Sequence, residues 1–274
     1  MATHLAVLGS PITHSKSPAI HRAAYGVLGL DWSYEAIELV GGQLPEFLGT
    51  LDGTWRGLSL TMPLKRDVMP LLALRDPLVD LVGGANTVLF GPDGPCGFNT
   101  DVQGVVESFA GVGVASLGYV HLLGAGATAA SVLVAVAQLG ATRVLVSARS
   151  PERAQTVSEL GSRLGIEVVV RPWGLTDRSV IVPDAVVSTV PGGENDLVFA
   201  EPIRSAAVLF DVAYDPWPSR LAIDWDAAGG TVISGLDLLV NQAVGQVRLF
   251  VSGDQREPLR REDDVVAAML AAVA

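Results

Sequence analysis

The sequence predicts an α/β protein of two domains, each built on a mostly parallel sheet. Three observations carry this. Strand-like and helix-like segments alternate from end to end. The strand-like runs are near-continuous in Val and Leu, as strands covered on both faces require. The alternation also restarts near residue 119, where "YVHLLGAG" runs a strand straight into a glycine turn.

In the first series "HLAVLG" reads as a strand, "SPAIHRAAYGVLGL" as a helix and "WSYEAIEL" as a strand. A helix near 42–51 and the strand "GLSLTM" follow. "ANTVLFGPDGPCGFNTD" reads as a hairpin turning at Gly91 to Pro95, which adds an antiparallel element. A helix over 101–110 is the candidate boundary, because no Ser/Gly linker occurs anywhere. In the second series a helix over 127–139, the strand "TRVLVSA" and a helix over 151–164 follow the glycine turn. Strands at "IEVVV", "AVVSTV", "AVLFDV" and "TVISG" come next, with "DPWPSRL" as a proline-stiffened loop between the last two. The tail reads as helices over 236–252 and 261–273. The expected domains are residues 1–103 with 238–274, and residues 104–237.

Composition excludes several classes. At 49% hydrophobic and 17% charged, the chain can bury a large core. A net charge of −11 argues against nucleic acid or an anionic membrane as partner. No apolar run reaches the roughly 18 residues that span a bilayer, and the start lacks a basic leader with a long apolar stretch. The expectation is a cytoplasmic protein. Cys96 is the single cysteine, and four scattered histidines with it make no metal cluster.

"VHLLGAGATAAS" places Gly124 and Gly126 between a strand and a helix. The first glycine permits the tight turn, and the second lets a pyrophosphate approach the helix N-terminus, whose amides favour anions. Ala129 fills the third small position. An acid at the next strand end would accept the ribose 2′-hydroxyl of NAD. Here that region reads "SARSPER", with Ser147, Arg149, Ser150 and Arg153 and no acid at the strand end. Cations and hydroxyls suit a 2′-phosphate, so the cofactor expected is NADP(H).

"SLTMPLK" sets Lys65 just past a buried strand, and "NTD" sets Asp101 at the end of the hairpin. A lysine and an aspartate from two strand ends can meet in a cleft, where the ammonium exchanges a proton with a substrate hydroxyl and the carboxylate holds it charged. The alternative is a solvated surface lysine. "GSPITHSKSPAIH" adds Ser15 and Ser17 at a helix start, which suits a carboxylate or an ordinary Ser cap, with Lys16 between them solvated. His21 and the tryptophans 55, 173, 217 and 225 read as packing residues.

"GSPITHSKSPAIH", "SLTMPLK", "GANT", "GFNTD", "GAGATAAS", "YDPWPSRL" and "GLDLLVNQA" occur in this order across essentially the whole chain. Together they resemble shikimate dehydrogenase, and the details are similar to actinobacterial members. The resemblance implies a substrate domain and a Rossmann-like NADP domain separated by a cleft. It implies reversible NADPH-dependent reduction of 3-dehydroshikimate to shikimate in aromatic amino acid biosynthesis. By motif match Lys65 and Asp101 form the catalytic pair, Ser15 and Ser17 hold the substrate carboxylate, and Thr61, Asn86, Tyr214 and Gln242 also reach the substrate. The cofactor set is Gly124, Ala125, Gly126, Ala127, Ser147, Arg149, Ser150, Arg153 and Gly235. A monomer or homodimer with only small-molecule partners is implied.

Three positions depart from the family pattern. Ser59 stands where Asn is common, Ala148 where Asn is usual, and Asp237 where Gly is common. Ser59 and Asp237 leave room for a paralogue with shifted substrate preference; the alternative of a quinate/shikimate dehydrogenase of broader specificity is disfavoured by the paired serines and the missing strand-end acid. A folate-interconverting dehydrogenase would not be expected to carry "SKSP" with "NTD". A non-catalytic ligand sensor would not need both Lys65 and Asp101.

Overall fold

A computed structural model of the protein describes residues 3–174, 181–191 and 197–273. The chain divides into two compact units, Met1–Gly104 with Leu239–Ala274, and Val105–Leu238.

The first unit opens with β1 (Thr3–Gly9), α1 (Ser17–Leu28), β2 (Trp32–Glu38), α2 (Leu44–Gly49) and β3 (Trp55–Leu60). Pro18 lies in the first turn of α1, where the missing N–H is no loss, and Gly29 ends the helix at φ 71°. After β3 come two elements that hydrophobic periodicity does not reveal: the one-turn α3 (Leu64–Asp67), then a 3-10 turn at Met69–Leu71. Next are β4 (Leu74–Arg75) and α4 (Pro77–Val82), whose cap Asp76 accepts from the Leu78 N–H. The hairpin β5 (Thr87–Gly91) and β6 (Gly94–Phe98) follows, and α5 (Asp101–Gly111) leads out of the unit.

Among the described residues the strands form a six-stranded sheet in the order β2-β1-β3-β5-β6-β4, with β5 alone reversed. Leu8, Leu58, Leu60, Leu64 and Val88 build one apolar cluster on this sheet. Burial of such side chains drives its formation.

The second unit contains β7 (Tyr119–Leu123), α6 (Ala127–Gln138), β8 (Arg143–Ala148), α7 (Pro151–Leu164) and β9 (Glu167–Pro172). Ser150 caps α7 by accepting from the Arg153 N–H, and Gly165 at φ 73° ends it. Then come β10 (Ala185–Ser188), α8 (Glu201–Ala206), β11 (Val208–Asp211), α9 (Arg220–Asp226) and β12 (Val232–Ser234). The segment "DPWPSRL" is not all loop: Ser219 caps α9 there, and its hydroxyl also donates to Asp211 at 2.6 Å. The last helices are α10 (Gly235–Ser252) and α11 (Glu262–Ala271).

The described strands of this unit form a fully parallel six-stranded sheet, in the order β12-β11-β10-β7-β8-β9. This is the doubly wound order whose direction of winding reverses between β7 and β10. The central strands are covered on both faces, as their Val and Leu runs suggest. β9 is not: Val169 is 37% exposed and Val170 44%, because β9 is the sheet edge. A valine run therefore does not distinguish an edge strand from a central one.

Polar side chains are also buried in the first unit. His21 on α1 is fully buried and stacks on Tyr34, with ring centroids 3.9 Å apart. Its Nε2 lies 3.2 Å from Gln246 Oε1 and its Nδ1 3.2 Å from the Tyr25 hydroxyl. Burial pushes its pKa down to about 3, only partly opposed by the Gln246 hydrogen bond. Lys16, expected in solvent, instead donates to the Val273 carbonyl at 3.3 Å and ties the start of α1 to the end of the chain.

Between pH 6.5 and about 3 the unfolded chain holds a proton on the His21 ring that the folded chain lacks, so stability falls as pH falls through that window. The expected slope is about 1.4 kcal/mol per pH unit. The stability difference between the wild type and His21→Phe should therefore shrink by about 2–3 kcal/mol from pH 7.5 to pH 4.5. Urea unfolding at the two pH values measures it, and an unchanged difference contradicts the buried neutral imidazole.

Candidate active site

In the first unit the loops that follow β1 and β3 leave neighbouring parallel strands at their carboxyl ends. They are tied together by the Ser10 N–H on the Met62 carbonyl and the Thr61 N–H on the Leu8 carbonyl. Ser15 lies on the first loop, with Ser17 opening α1 just after it, and Thr61 lies on the second, with Lys65 on α3 just after it. Gly9 has no room for a side chain here, since a Cβ would sit 2.3 Å from Thr61 Cγ2. The strand ends of an α/β sheet are where such folds place ligands.

Lys65 is on α3, one turn beyond β3, rather than at the strand end. Asp101 is the first residue of α5. The two meet: Lys65 Nζ donates to Asp101 Oδ2 at 2.6 Å, with the side chains 14% and 7% exposed. Asn86 Nδ2 donates to the other carboxylate oxygen, Oδ1, at 2.8 Å. The same nitrogen lies 2.9 Å from Thr100 Oγ1 and 3.4 Å from Gln242 Oε1. Lys65, Asp101, Asn86 and Gln242 are thus one cluster, with Gln242 brought in by α10.

Two Asn-containing turns hold this cluster by bonding to each other. Asn99 Oδ1 accepts the Asp101 and Val102 N–H groups and so caps α5, while its Nδ2 donates to the Gly84 carbonyl. Asn86 Oδ1 accepts the Thr100 N–H at 2.9 Å. The Ala85 N–H in turn bonds the Lys65 carbonyl. Sequence reasoning gives Asn99 and Thr100 no role, although the repeat of "NT" at 86–87 and 99–100 is the available signal.

Neither serine of the first loop caps α1. The N-cap is Lys16, and Ser15 Oγ instead accepts the Ser17 N–H at 3.3 Å. Tyr214 belongs to the second unit, where burial raises its pKa and the charge of Asp215 adds to that.

The nucleotide loop lies in the second unit at the point where sheet winding reverses. Gly124 follows β7 at φ 101°, and a Cβ there would sit 2.5 Å from Thr189 Oγ1, just past β10. Only glycine fits. Gly126 caps α6 with no side-chain hydrogen bond and open space where a Cβ would be. No acid occupies the first turn of α6. Open helix amides beside a glycine fit a pyrophosphate. Ala125 is buried, Ala127 half-buried and Ala129 fully buried against the sheet.

At the end of β8, Arg149 and Arg153 are exposed, and the Arg149 guanidinium lies 4.9 Å from the Trp173 ring centroid. These cations fit a phosphate. Two further residues of the expected cofactor set have their side-chain positions taken up by the protein itself. The Ser147 hydroxyl is turned into the sheet, 2.9 Å from His121 Nε2. Gly235 leaves no room for a side chain, because a Cβ would sit 2.1 Å from the Val212 carbonyl oxygen, so only its backbone can meet a ligand. Asp237 also gains an account: its carboxylate accepts the Ser234 N–H at 2.9 Å and the Ser234 hydroxyl at 2.8 Å, a capping arrangement at the start of α10.

Among the described residues no His, Cys, Asp and Glu grouping could hold a metal, and no helix is long and apolar enough to cross a membrane.

Known proteins agree with these motifs. Residues 7–88 match the family model of the shikimate dehydrogenase substrate binding domain. A shikimate dehydrogenase (NADP(+)) of Methanosarcina mazei is 32% identical over 255 residues, covering 89% of this chain and 91% of the relative. The chain belongs to the shikimate dehydrogenase family. Two crystal structures of the family overlay closely on this chain. That of Mycobacterium tuberculosis shikimate dehydrogenase gives a TM-score of 0.84 at 34% identity, covering 98% of this chain and 99% of the other. That of Thermus thermophilus shikimate 5-dehydrogenase, in complex with NADP(H) and shikimate, gives 0.82 at 29% identity, covering 98% and 99%.

The two glycines of this member's nucleotide loop should separate in their effect on folding. Gly124→Ala should lower stability by about 1–3 kcal/mol through strain and collision with Thr189. Gly126→Ala should leave the melting temperature within about 2 °C of wild type, since the position is extended and open. Calorimetry of both variants measures this; equal destabilisation would contradict the assigned geometry.

Proposed function

We propose that the chain catalyses the reversible NADPH-dependent reduction of 3-dehydroshikimate to shikimate, a step towards chorismate and the aromatic amino acids. The observation that carries this is the Lys65 ammonium at 2.6 Å from the Asp101 carboxylate, in a chain that belongs to the shikimate dehydrogenase family. Bound NADPH supplies the hydride, and NADP⁺ accepts it in reverse.

The chain's own residues do the rest. Reduction of the ring ketone leaves negative charge on its oxygen, and the Lys65 ammonium supplies the proton there. In the reverse direction the neutral amine takes the proton from the ring hydroxyl. Asp101 fixes the direction of the Lys65 ammonium through one oxygen, while Asn86 holds the other. Thr61, Asn86, Asp101 and Gln242 offer both donors and acceptors to ring hydroxyls, as recognition of a polyhydroxylated ring requires. Ser15 and Ser17 hold the substrate carboxylate beside the open first turn of α1. Tyr214 completes the substrate set.

For the dinucleotide, Gly124 to Ala127 present the amides of α6 to the pyrophosphate. Arg149, Ser150 and Arg153 receive the 2′-phosphate, Gly235 offers its backbone, and the Ser147 hydroxyl is held by His121.

Incubation with shikimate and NADP⁺ should produce the NADPH absorbance band, and its absence would sink the reading. Lys65→Ala should lower kcat by roughly 10²–10⁴-fold, with KM for shikimate changed only severalfold. Arg149→Ala should raise KM for NADP⁺ by roughly 10–100-fold and leave the weak use of NAD⁺ nearly unchanged.

A further inference from the structure

The polar core of the first unit is a set of hydrogen bonds with only one possible direction. Asn86 Nδ2 faces a carboxylate oxygen and Asn86 Oδ1 faces the Thr100 N–H, so the Asn86 amide has a single allowed orientation. Gln246 on α10 is likewise fixed, because its Nε2 lies 3.2 Å from the Asn86 carbonyl, which can only accept. That nitrogen also donates to Thr87 Oγ1 at 3.1 Å, and Thr87 then donates to Asn86 Oδ1 at 2.9 Å. With Gln246 Oε1 an acceptor, the Ser59 hydroxyl must donate to it at 2.9 Å, and Ser59 in turn accepts from the Tyr34 hydroxyl at 2.7 Å. His21 Nε2 must carry a proton to share the same oxygen.

The donors therefore run from Tyr34 through Ser59, Gln246 and Thr87 to Asn86, and Asn86 ends on Asp101. Gln246 is 2% exposed, and its four hydrogen-bonding positions are all filled by Ser59, His21, Asn86 and Thr87. None of these four bonds goes to Lys65 or Asp101.

We propose that Gln246 is a positioning residue for the reaction, acting through Thr87 and Asn86 to aim the Asp101 carboxylate at Lys65, with Ser59 and Tyr34 anchoring its other end. The consequence for turnover rests on the activity proposed above. Ser59, a departure from the usual Asn, is then the chain's own means of holding Gln246: a hydroxyl both accepts from Tyr34 and donates to the amide oxygen.

Packing and hydrogen bonding predict opposite orders at Thr87, which is fully buried. Thr87→Val keeps the volume and deletes the hydroxyl; Thr87→Ser keeps the hydroxyl and leaves a methyl-sized void. The proposal expects kcat with shikimate and NADP⁺ to fall roughly 3–10-fold in Thr87→Val, to recover most of the way in Thr87→Ser, and to fall roughly 5–20-fold in Gln246→Leu. Val265→Ala, in the core of α11, serves as the control that lowers melting temperature without changing kcat. A readout independent of turnover is exchange of the Asn86 side-chain amide protons by NMR. They should be slow in wild type and Thr87→Ser, and at least roughly tenfold faster in Thr87→Val and in Gln246→Leu if it folds. A wild type inactive on shikimate refutes the enzymatic reading, and the exchange result then decides the relay by itself. Turnover lost in Thr87→Ser but kept in Thr87→Val, or Asn86 exchange unchanged in Thr87→Val, overturns the relay.

Discussion

The Asp101 carboxylate and its two donors are the constraint on which the first unit is arranged. One oxygen takes the Lys65 ammonium and the other the Asn86 amide. Ion pairs this far from water gain little net stability, because desolvation of both charges offsets their attraction. Their geometry has to be imposed by neutral groups. Here those are the two Asn-Thr turns, bonded to each other between Asn86 and Thr100 and between Asn99 and Gly84. The short helix α3 then carries Lys65 to the carboxylate, and the Ala85 N–H on the Lys65 carbonyl keeps it there.

The two units solve different problems with similar sheets. The second has an apolar cluster with Val186, Leu209, Phe199 and Trp225, although His121, Ser147 and Asp211 are also buried, and Trp225 satisfies its indole on the Ala207 carbonyl at 2.8 Å. Its functional features are backbone ones: the left-handed Gly124 and the uncapped amides of α6. Such a loop suits any dinucleotide, and the exposed arginines past β8 add positive charge nearby. The first unit buries His21, Ser59, Asn86, Thr87, Asn99, Thr100 and Gln246. Unpaired, each would carry a penalty of about 1–3 kcal/mol, so together they allow few alternative arrangements.

Two of the family departures have physical accounts. Ser59 bridges Tyr34 and Gln246, and Asp237 caps α10 through Ser234. At Ala148, the last residue of β8, nothing in the structure explains the replacement.

Local chemistry made much of the architecture legible in the sequence. Pro, Ser and Gly mark both ends of α7, at Ser150, Pro151 and Gly165, because caps act within one turn. The glycine spacing at 124–126 sets a nucleotide turn, since a positive φ is a property of one residue. The one-turn α3 and the helices α4, α8 and α9, of six or seven residues at most, escaped, being too short to show a helical period. The motif residues Lys65 and Asp101 could be named from sequence, but not their 2.6 Å contact, which depends on two turns 14 residues apart bonding each other. Tyr34 on β2 and Ser59 on β3 bond across the intervening β1, and Gln246 arrives from the far end of the chain. Which polar groups share a dry interior is set by strand order and register, and no local propensity encodes either; only the tertiary structure decided that the carboxylate of Asp101 would have an aimed amide behind it.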